Sequence, residues 1–539
     1  MWHTNWRDSI WSQLSQLWDI IVIGGGVTGA GILRQATHLG LHALLVDKAD
    51  FAWGTSSRST KLVHGGLRYL AQGQYSVTRE SVRERERLMR EAPGLIDPLG
   101  CLFPVYEGAS PNKRTAAAGL AVYDYFGHKW AHRYFKGDDF LLQAPHLSEE
   151  GLEGGYRYFD AVTDDSRLVL RLIREAMRAG GMALNYAAVD KLLLDATGRV
   201  RGIVLLDVVT GRTLELQSRV VINATGAWAD VLRQQVGAPP RIRPSRGSHF
   251  MFPAWRAPVA QAITLIHPRD HRPVFVLPWE GATLAGTTDL DHHQPLDDEP
   301  HAEEAEVEYV LEALSFRFPA WRLQAEDIMA SFAGVRPIVA SGRGVDPHKE
   351  SRAHIVLEED GLITITGGKL TTFRPMAHDA LQAARRLWPE MPSPSPPTTR
   401  GGAPNGQALV FDPVPTVLPG AAALDSAARL RLLGRHAADA AALVAAAQPG
   451  ELELIPGTDS RWAELRWAAR DEGVVHLDDL LLRRVRLGLL LPQGAVPMLE
   501  RIRAIVQPEL GWDDVRWTAE AAAYTEVWQR AYSLPGAGR

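Results

Sequence analysis

Twelve residues, Ser59 to Leu70 (STKLVHGGLRYL), gather an amine (Lys61), an imidazole (His64), a guanidinium (Arg68) and a phenol (Tyr69) around Gly65 and Gly66. Such a set can hold an anion, exchange a proton and let backbone approach a flat ring. It lies shortly after IVIGGGVTGAG, in which Gly24, Gly26 and Gly29 form G-x-G-x-x-G. Gly24 permits a tight turn off a strand, Gly26 lets backbone approach a pyrophosphate, and Gly29 lets the following helix pack close. The N–H groups and positive dipole end of that helix face the phosphates. Asp47 stands twenty-one residues after Gly26, at the end of the next apolar run (ALLVD), where an acid accepts hydrogen bonds from a ribose. A fingerprint with a strand before it, a helix after it and an acid on the second strand predicts a dinucleotide site.

The elements that must position these groups follow from pattern. A chain of 539 residues is long enough for two to four domains. With 46% hydrophobic and 22% charged residues it has the composition of an ordinary globular protein rather than a disordered or fibrous one. A net charge of −5 gives no global footprint for nucleic acid. The lone Cys101 rules out an intrachain disulfide and favours a reducing compartment. No cluster with metal-ligand spacing stands out. No apolar run is long enough to span a bilayer, and the N-terminus lacks the pattern of a secretory signal. It carries instead Trp2, Trp6, Ile10 and Leu14 at four-residue steps. As a helix these make one apolar face, which either packs on the protein's own surface or lies at a membrane interface.

DIIVI (19–23) reads as a buried parallel strand. TRESVRERERLMREAP (78–93) reads as an exposed helix laced with ion pairs. Residues 166–186 read as helix, turn and strand, and 200–226 as a β-meander ending in NATG. From 241 to 350 short strands rich in Pro and Gly predict an antiparallel sheet, interrupted by a helix at 301–314. Residues 361–388 return to strand, glycine turn and helix. PEMPSPSPPTTRGGAPNG (389–406) is a linker, and 407–539, rich in Ala, Leu and Arg at helical period, reads as a separate helical domain.

No second fingerprint for a nicotinamide cofactor is evident. NATGAW (223–228) and TGGKLTT (366–372) are further glycine turns at strand ends, which suits one large cofactor, FAD, spread through a single domain. In the order IVIGGGVTGAG, TSSRSTKLVHGGLRYL, NATGAW, RGSHF, GTTD, GVRP and GGKLTTFR, the chain resembles the FAD-dependent glycerol-3-phosphate dehydrogenases over roughly 18–392. HLDDLLLRRVRLGLLL resembles that family's C-terminal domain.

The resemblance implies an α/β plus α fold: a Rossmann-like FAD domain of the glutathione-reductase and D-amino-acid-oxidase type, an antiparallel-sheet substrate domain, and a helical C-terminal domain. The expected boundaries are 1–17 for an N-terminal extension and interfacial helix; 18–100, 154–240 and 353–392 for the FAD domain; 101–153 and 241–352 for the substrate domain; 393–406 for the linker; and 407–539 for the helical domain. The implied activity is oxidation of sn-glycerol 3-phosphate to dihydroxyacetone phosphate by hydride transfer to flavin, with electrons passing to a membrane quinone. The implied place is the cytoplasmic side of the cell membrane, peripherally bound, and a homodimer is compatible with it. Rival readings are an oxidase that reduces O2 and an amine or amino-acid oxidase of the same fold.

A phosphate dianion in a closed pocket calls for arginines. The matching positions are Arg68, Arg336 and Arg352, with Tyr69 adding a hydroxyl. Lys369 faces the substrate or the flavin. His249 in GSHF is assigned as the substrate-contacting base, and His64 as a group on the flavin side. Contact with the cofactor is assigned to Gly24, Gly26, Gly29, Asp47, Thr55, Ser56, Ser57, Lys61, Leu62, His64, Gly65 and Gly66, and further along to Ala224, Thr225, Gly226, Trp228, Gly368, Lys369, Leu370 and Thr371. Asp47 replaces the Glu more usual in this superfamily.

Overall fold

The computed structural model describes Trp2 and residues 6–340, 353–394 and 410–536. Arg352 and most of the expected linker lie outside the described residues.

The apolar run at 18–23 forms the strand Trp18–Ile23, with Ala43–Val46 and Thr213–Asn223 parallel on either side of it. Side chains alternate faces along a strand. Ile20 and Val22 therefore enter one core with the helices Val27–His38, Asp165–Arg178 and Phe373–Leu387, while Ile21 and Ile23 enter a second core beneath the meander Ala187–Leu194, Val200–Asp207 and Thr213–Asn223. Burial on both faces explains why these strands are continuously apolar. The sheet runs His354–Glu359, Leu362–Gly367, Thr213–Asn223, Trp18–Ile23, Ala43–Val46, Met182–Leu184, with the meander branching from its third strand. Helix Asp165–Arg178 begins where the Asp164 side chain accepts the Arg167 N–H, an N-cap that stabilises such a start by about 1 kcal/mol.

The second sheet is predominantly antiparallel. Ile242–Pro253 lies between Ala282–Gly286 and Ala330–Val339, and Ile96–Tyr106 pairs with Leu152–Thr163. Alternation again divides two cores. Phe250, Phe252 and Leu102 face the helix Glu304–Arg317, whereas Met251, Cys101 and Phe103 face the other way.

Four expectations are corrected here. The boundary at 100/101 falls inside Ile96–Tyr106 and that at 153/154 inside Leu152–Thr163. These strands are partners in the second sheet, so cutting them would strand their ladder hydrogen bonds. The C-terminal helices pack a core of their own around Leu432, Leu443 and Trp467 and also join the second sheet, where Leu480, Leu481 and Leu487 share one core with Met251, Leu277 and Phe332. Helix Tyr75–Glu91 is not an exposed charged rod. Ser81, Val82, Glu84, Arg85 and Leu88 are buried, and Glu84 and Arg85 pair with Arg374 and Asp160 from other elements. The N-terminal apolar face is covered by the protein itself. Trp2 is 1% exposed and stacks on Phe51, Leu14 is buried, Trp6 and Ile10 pack against the same cores, and Arg7 Nη2 reaches Asp207 at 2.6 Å. That segment does not hold the face open to a bilayer.

Candidate active site

Between the two sheets runs a cavity of about 920 Å³. One end is the fingerprint turn. Gly24 has φ +110°, and a Cβ there would come within 2.6 Å of the Ala224 carbonyl oxygen. A Cβ on Gly29 would fall 1.9 Å from the Gly24 carbonyl oxygen, so Gly29 serves helix–strand packing and does not line the cavity. At the N-terminus of the helix the Val27 N–H donates to Ser56 Oγ at 2.9 Å, which ties the Thr55–Ser57 turn to the fingerprint.

Asp47 Oδ2 accepts the Gly25 N–H at 2.6 Å and Oδ1 the Ala49 N–H at 2.9 Å. Each oxygen keeps a lone pair for a further donor. Burial pushes this carboxyl up to about 6, against the pull of the two N–H groups. The folded protein thus holds its proton to higher pH than the unfolded chain does, and the stabilisation this gives at acid pH is lost as pH rises through about 6. A ribose hydroxyl donating to the carboxylate favours the ionised form. Dinucleotide affinity is therefore expected to weaken below about pH 6, by about tenfold per pH unit, and Asp47→Asn to flatten that slope. Fluorescence of released cofactor against pH measures it, and an unchanged slope in the variant would remove Asp47 from the ribose site.

The middle of the cavity is walled by Thr55, Ser56, Ala224, Thr225, Gly226 and Trp228. Thr55 Oγ1 donates to the Val335 carbonyl, joining this wall to the strand that carries Arg336. At the far end Leu62, His64, Gly66, Arg68, Tyr69, His249, Arg336, Gly368, Lys369, Leu370 and Thr371 converge on the same space. Lys369 Nζ donates to Ser81 Oγ at 3.0 Å and lies 3.8 Å from the centre of the Tyr69 ring. Arg336 donates to Thr287 Oγ1 at 2.7 Å and sits 3.4 Å from Asp289. His249 is 1% exposed, stacks on Phe332, and meets Thr60 Oγ1 through Nε2 at 2.9 Å. Burial, then the charges of Arg336 and Lys61, hold its imidazole well below the usual range. Burial also brings His64 down to about 4, despite Asp160 and assisted by Lys369, Arg68 and Arg85. Both histidines are therefore neutral at physiological pH, and His249 has the lone pair a base requires.

Besides Gly29, three residues assigned to the cofactor face elsewhere. Lys61 is fully buried, and its Nζ donates to both Asp165 oxygens at 2.9 Å and to the Ser57 carbonyl at 2.6 Å. A buried ammonium must be paired, and Asp165 takes it away from the cavity. Ser57 is turned into that same cluster, where its carbonyl also accepts from Arg486 at 2.9 Å. Gly65 donates to Tyr123 Oη at 2.7 Å, and a Cβ there would strike Val82 and Tyr123. It is needed for tight packing under the loop, not for approach to a ring.

The sequence reading gave no role to Thr60, Thr287 or Arg272. Thr60 sits inside the conspicuous loop, but nothing in its spacing sets it apart from its neighbours. Thr287 belongs to GTTD, a motif whose part here is to seat Arg336. Arg272 reaches the cavity wall from a loop with no motif.

A parallel sheet with a dinucleotide turn, joined by a cavity to an antiparallel sheet carrying cations and a neutral histidine, defines a two-domain dinucleotide-dependent oxidoreductase. The family profile described as FAD dependent oxidoreductase matches residues 19–374, and that described as the C-terminal domain of alpha-glycerophosphate oxidase matches 414–517. An aerobic glycerol-3-phosphate dehydrogenase of Staphylococcus epidermidis is 37% identical over 71% of this chain and 70% of its own. Glycerol-3-phosphate dehydrogenase 2 of Mycobacterium tuberculosis is 35% identical over 96% and 89%. Among solved structures, the glycerol-3-phosphate dehydrogenase of Bacillus halodurans complexed with FAD superposes with TM-score 0.78 at 27% identity, over 98% of both chains. An L-alpha-glycerophosphate oxidase of Mycoplasma pneumoniae shares the fold at TM-score 0.56 and 16% identity, over 75% of this chain and 100% of its own. The chain belongs to the FAD-dependent oxidoreductase family and, within it, to the glycerol-3-phosphate dehydrogenases. Its cofactor is FAD. The residues present fit that group: a fingerprint turn with backbone close enough for a pyrophosphate, Asp47 with a lone pair on each oxygen, and Gly226, whose missing Cβ leaves open space on the cavity wall.

Proposed function

We propose that the protein oxidises sn-glycerol 3-phosphate to dihydroxyacetone phosphate and passes the electrons to a membrane quinone. The observation that carries the substrate is the far end of the cavity, where Arg336, Arg68 and Lys369 stand around His249 and His64. Three cations suit a phosphate dianion better than they suit the carboxylate of an amino acid, which a single arginine satisfies. The names of the relatives point the same way.

When bound, FAD supplies the acceptor for the hydride that leaves C2 of the substrate. The chain does the rest. Arg336, in a fixed seat on Thr287, and Arg68 hold the phosphate. His249 accepts the hydroxyl proton as the carbinol becomes a ketone. Lys369 would add its charge to those of the two arginines and, with FAD bound, would favour negative charge on the ring. A phosphate dianion entering beside His249 opposes the pull of Arg336 and raises the basicity of the imidazole when substrate is present.

A surface near the cavity supports a membrane acceptor. Helix Lys113–Gly127 lines the cavity through Gly119 and Val122 and exposes Tyr125, and Trp130 follows it beside Lys129 and Arg133. Aromatic and basic side chains together suit an anionic bilayer surface. This surface takes the place that the N-terminal segment was expected to fill.

Anaerobic addition of sn-glycerol 3-phosphate to the FAD-loaded enzyme is expected to bleach the flavin spectrum, and glycerol at the same concentration is not. A short-chain quinone should then restore the spectrum faster than air does. Absence of bleaching would overturn the substrate, and peroxide release at the rate of turnover would make the protein an oxidase.

A further inference from the structure

We infer that Asp297 is a latch that retains FAD: from the loop between Asp291 and helix Glu304–Arg317 it joins Lys48 to Trp228 across the fingerprint turn.

Three parallel strands end level with one another at the cofactor end of the cavity. Ile23 is paired with Asn223 on one side and with Val46 on the other. The fingerprint turn leaves the middle strand, Thr225–Trp228 follows one neighbour, and Asp47 and Lys48 follow the other. In such sheets a ligand lies at the carboxyl ends of the strands. Gly24, Gly26, Asp47, Lys48, Thr225 and Trp228 all line the cavity there. Adjacent strands are about 4.8 Å apart, so the two outer ends are separated by about 10 Å. The side chains of Lys48 and Trp228 close that distance, with Lys48 Nζ 5.0 Å from the centre of the Trp228 ring. A dinucleotide on the fingerprint turn is thus bounded on both sides by segments whose side chains meet.

Asp297 holds both of them. Its Oδ1 accepts the Trp228 Nε1–H at 2.7 Å and also the Lys48 ammonium. Burial would raise this carboxyl, but the bonds from Lys48 and Trp228 outweigh it and hold it below the usual range, so it is charged at physiological pH. The loop that carries it belongs to the second sheet. It follows Leu290–Asp291, which pairs with Ser245 and Arg246, and leads into helix Glu304–Arg317. Two positions beyond Asp297, Glu299 accepts from Arg58 and from the Tyr532 hydroxyl. Arg58 lies over the Trp53 ring at 5.1 Å, and Trp53 is 5.7 Å from Trp228. The two acids differ in burial: the Glu299 side chain is 8% exposed and that of Asp297 73%. Glu299 is therefore the fixed anchor of the loop, and Asp297 is the end that can let go without leaving a charge dry. Among the described residues that line the cavity, none comes from 292–303. Asp297 thus acts on FAD through Lys48 and Trp228.

The test follows the release of FAD, by flavin fluorescence, after the holoenzyme is diluted into buffer free of FAD. An exposed ion pair is weak and a hydrogen bond to a charged group is stronger, so Asp297→Ala is expected to release FAD about fivefold faster than wild type. Asp297→Asn keeps an acceptor for Trp228 without the charge. It should release FAD about twofold faster, and it carries the test if the alanine variant does not load FAD. Trp228→Phe keeps a ring but loses the N–H, and should speed release by about threefold. Both substitutions break one latch, so Asp297→Ala combined with Trp228→Phe should release FAD no faster than Asp297→Ala alone. Asp298→Ala removes the adjacent exposed charge and should release FAD at the wild-type rate. Release at the wild-type rate in Asp297→Ala, or in Asp297→Asn where it stands in, would overturn the inference. Equal acceleration in Asp298→Ala would overturn it too, since the charge of the loop rather than the latch would then matter. So would multiplied effects in the double variant, because the two residues would then act separately.

Discussion

Arg336→Ala is expected to lower kcat/KM for sn-glycerol 3-phosphate by about 10³-fold, roughly 4 kcal/mol of transition-state stabilisation. The size follows from how the guanidinium is held. Arg336 stands on the strand Ala330–Val339 opposite Ser245, and its side chain crosses Gly247, where a Cβ would come within 2.2 Å of Nη2. Thr287 fixes one amino group and the Thr288 carbonyl the other. The planar fork is thus oriented before a phosphate arrives, and little rotamer entropy is left to lose on binding. Its side chain is 25% exposed, enough to meet a ligand while still partly shielded from water. Lysine is a point charge that cannot reproduce two parallel N–H···O bonds, so Arg336→Lys should recover about tenfold at most. Gly247→Ala offers an independent check. It leaves every charge in place but displaces the guanidinium, and it should raise KM more than it lowers kcat. Steady-state kinetics with a soluble quinone as acceptor measure all three. A loss below about tenfold in Arg336→Ala would place the phosphate against other groups, Arg68 and Lys369 first.

What could be read from the sequence was the part whose chemistry is local. The fingerprint, the acid at the second strand's end and the glycine turns at 223–228 and 366–368 each bring their groups together within a few residues, and all of them reach the cavity. Short apolar runs, and further along short strands set between Pro and Gly, made the two sheets visible. Groups whose partners are distant in the chain were misread or passed over. Lys61 looked like a cofactor contact because it sits among cavity residues. Its partner Asp165 lies 104 positions away and had no signal of its own. The Arg and Glu alternation at 78–91 has helical spacing and suggested pairing within one helix, but Glu84 reaches Arg374 and Arg85 reaches Asp160. Trp2, Trp6, Ile10 and Leu14 do form an apolar surface, but only Trp6–Trp11 of it is helical. Period alone does not say whether protein or lipid covers it, and here protein does. Thr60 shows the limit most plainly. A threonine beside a serine and a lysine is unremarkable until the fold brings His249 to it across 189 positions.

The same long-range pairing underlies the second large effect, which is on stability. Asp50 is fully buried. Its Oδ2 accepts from Arg483 Nε and Arg484 Nη1, both at 2.6 Å, and its Oδ1 from Arg484 Nη2 at 2.8 Å and Asn185 Nδ2 at 2.9 Å. Removing one partner of such a cluster leaves the others charged and dry, which costs about 3–5 kcal/mol, although building the cluster gains far less. In Asp50→Ala, Arg483 keeps Asp478 and Asp479, whereas Arg484 keeps the Glu472 carbonyl as its hydrogen-bond partner. The cost therefore concentrates on Arg484, and Arg484→Met introduced beside Asp50→Ala should restore part of it. Asp50→Ala is expected to lower the apparent Tm of the FAD-saturated protein by at least about 5 °C. It should also loosen FAD, because Asp50 leads directly into the Trp53–Ser56 wall of the cavity. Burial alone would raise the Asp50 carboxyl, but Arg484 and Arg483 outweigh it and hold it at about 2. The contribution is thus fully present above the ordinary carboxyl value near ~4 and is lost as pH falls through about 2. In acid the C-terminal helices should accordingly stay packed until the pH falls below about 4, well after titration of Asp47 has weakened FAD. Release of the C-terminal helices from the wild type well above about pH 4 would show that the Asp50 cluster does not hold them.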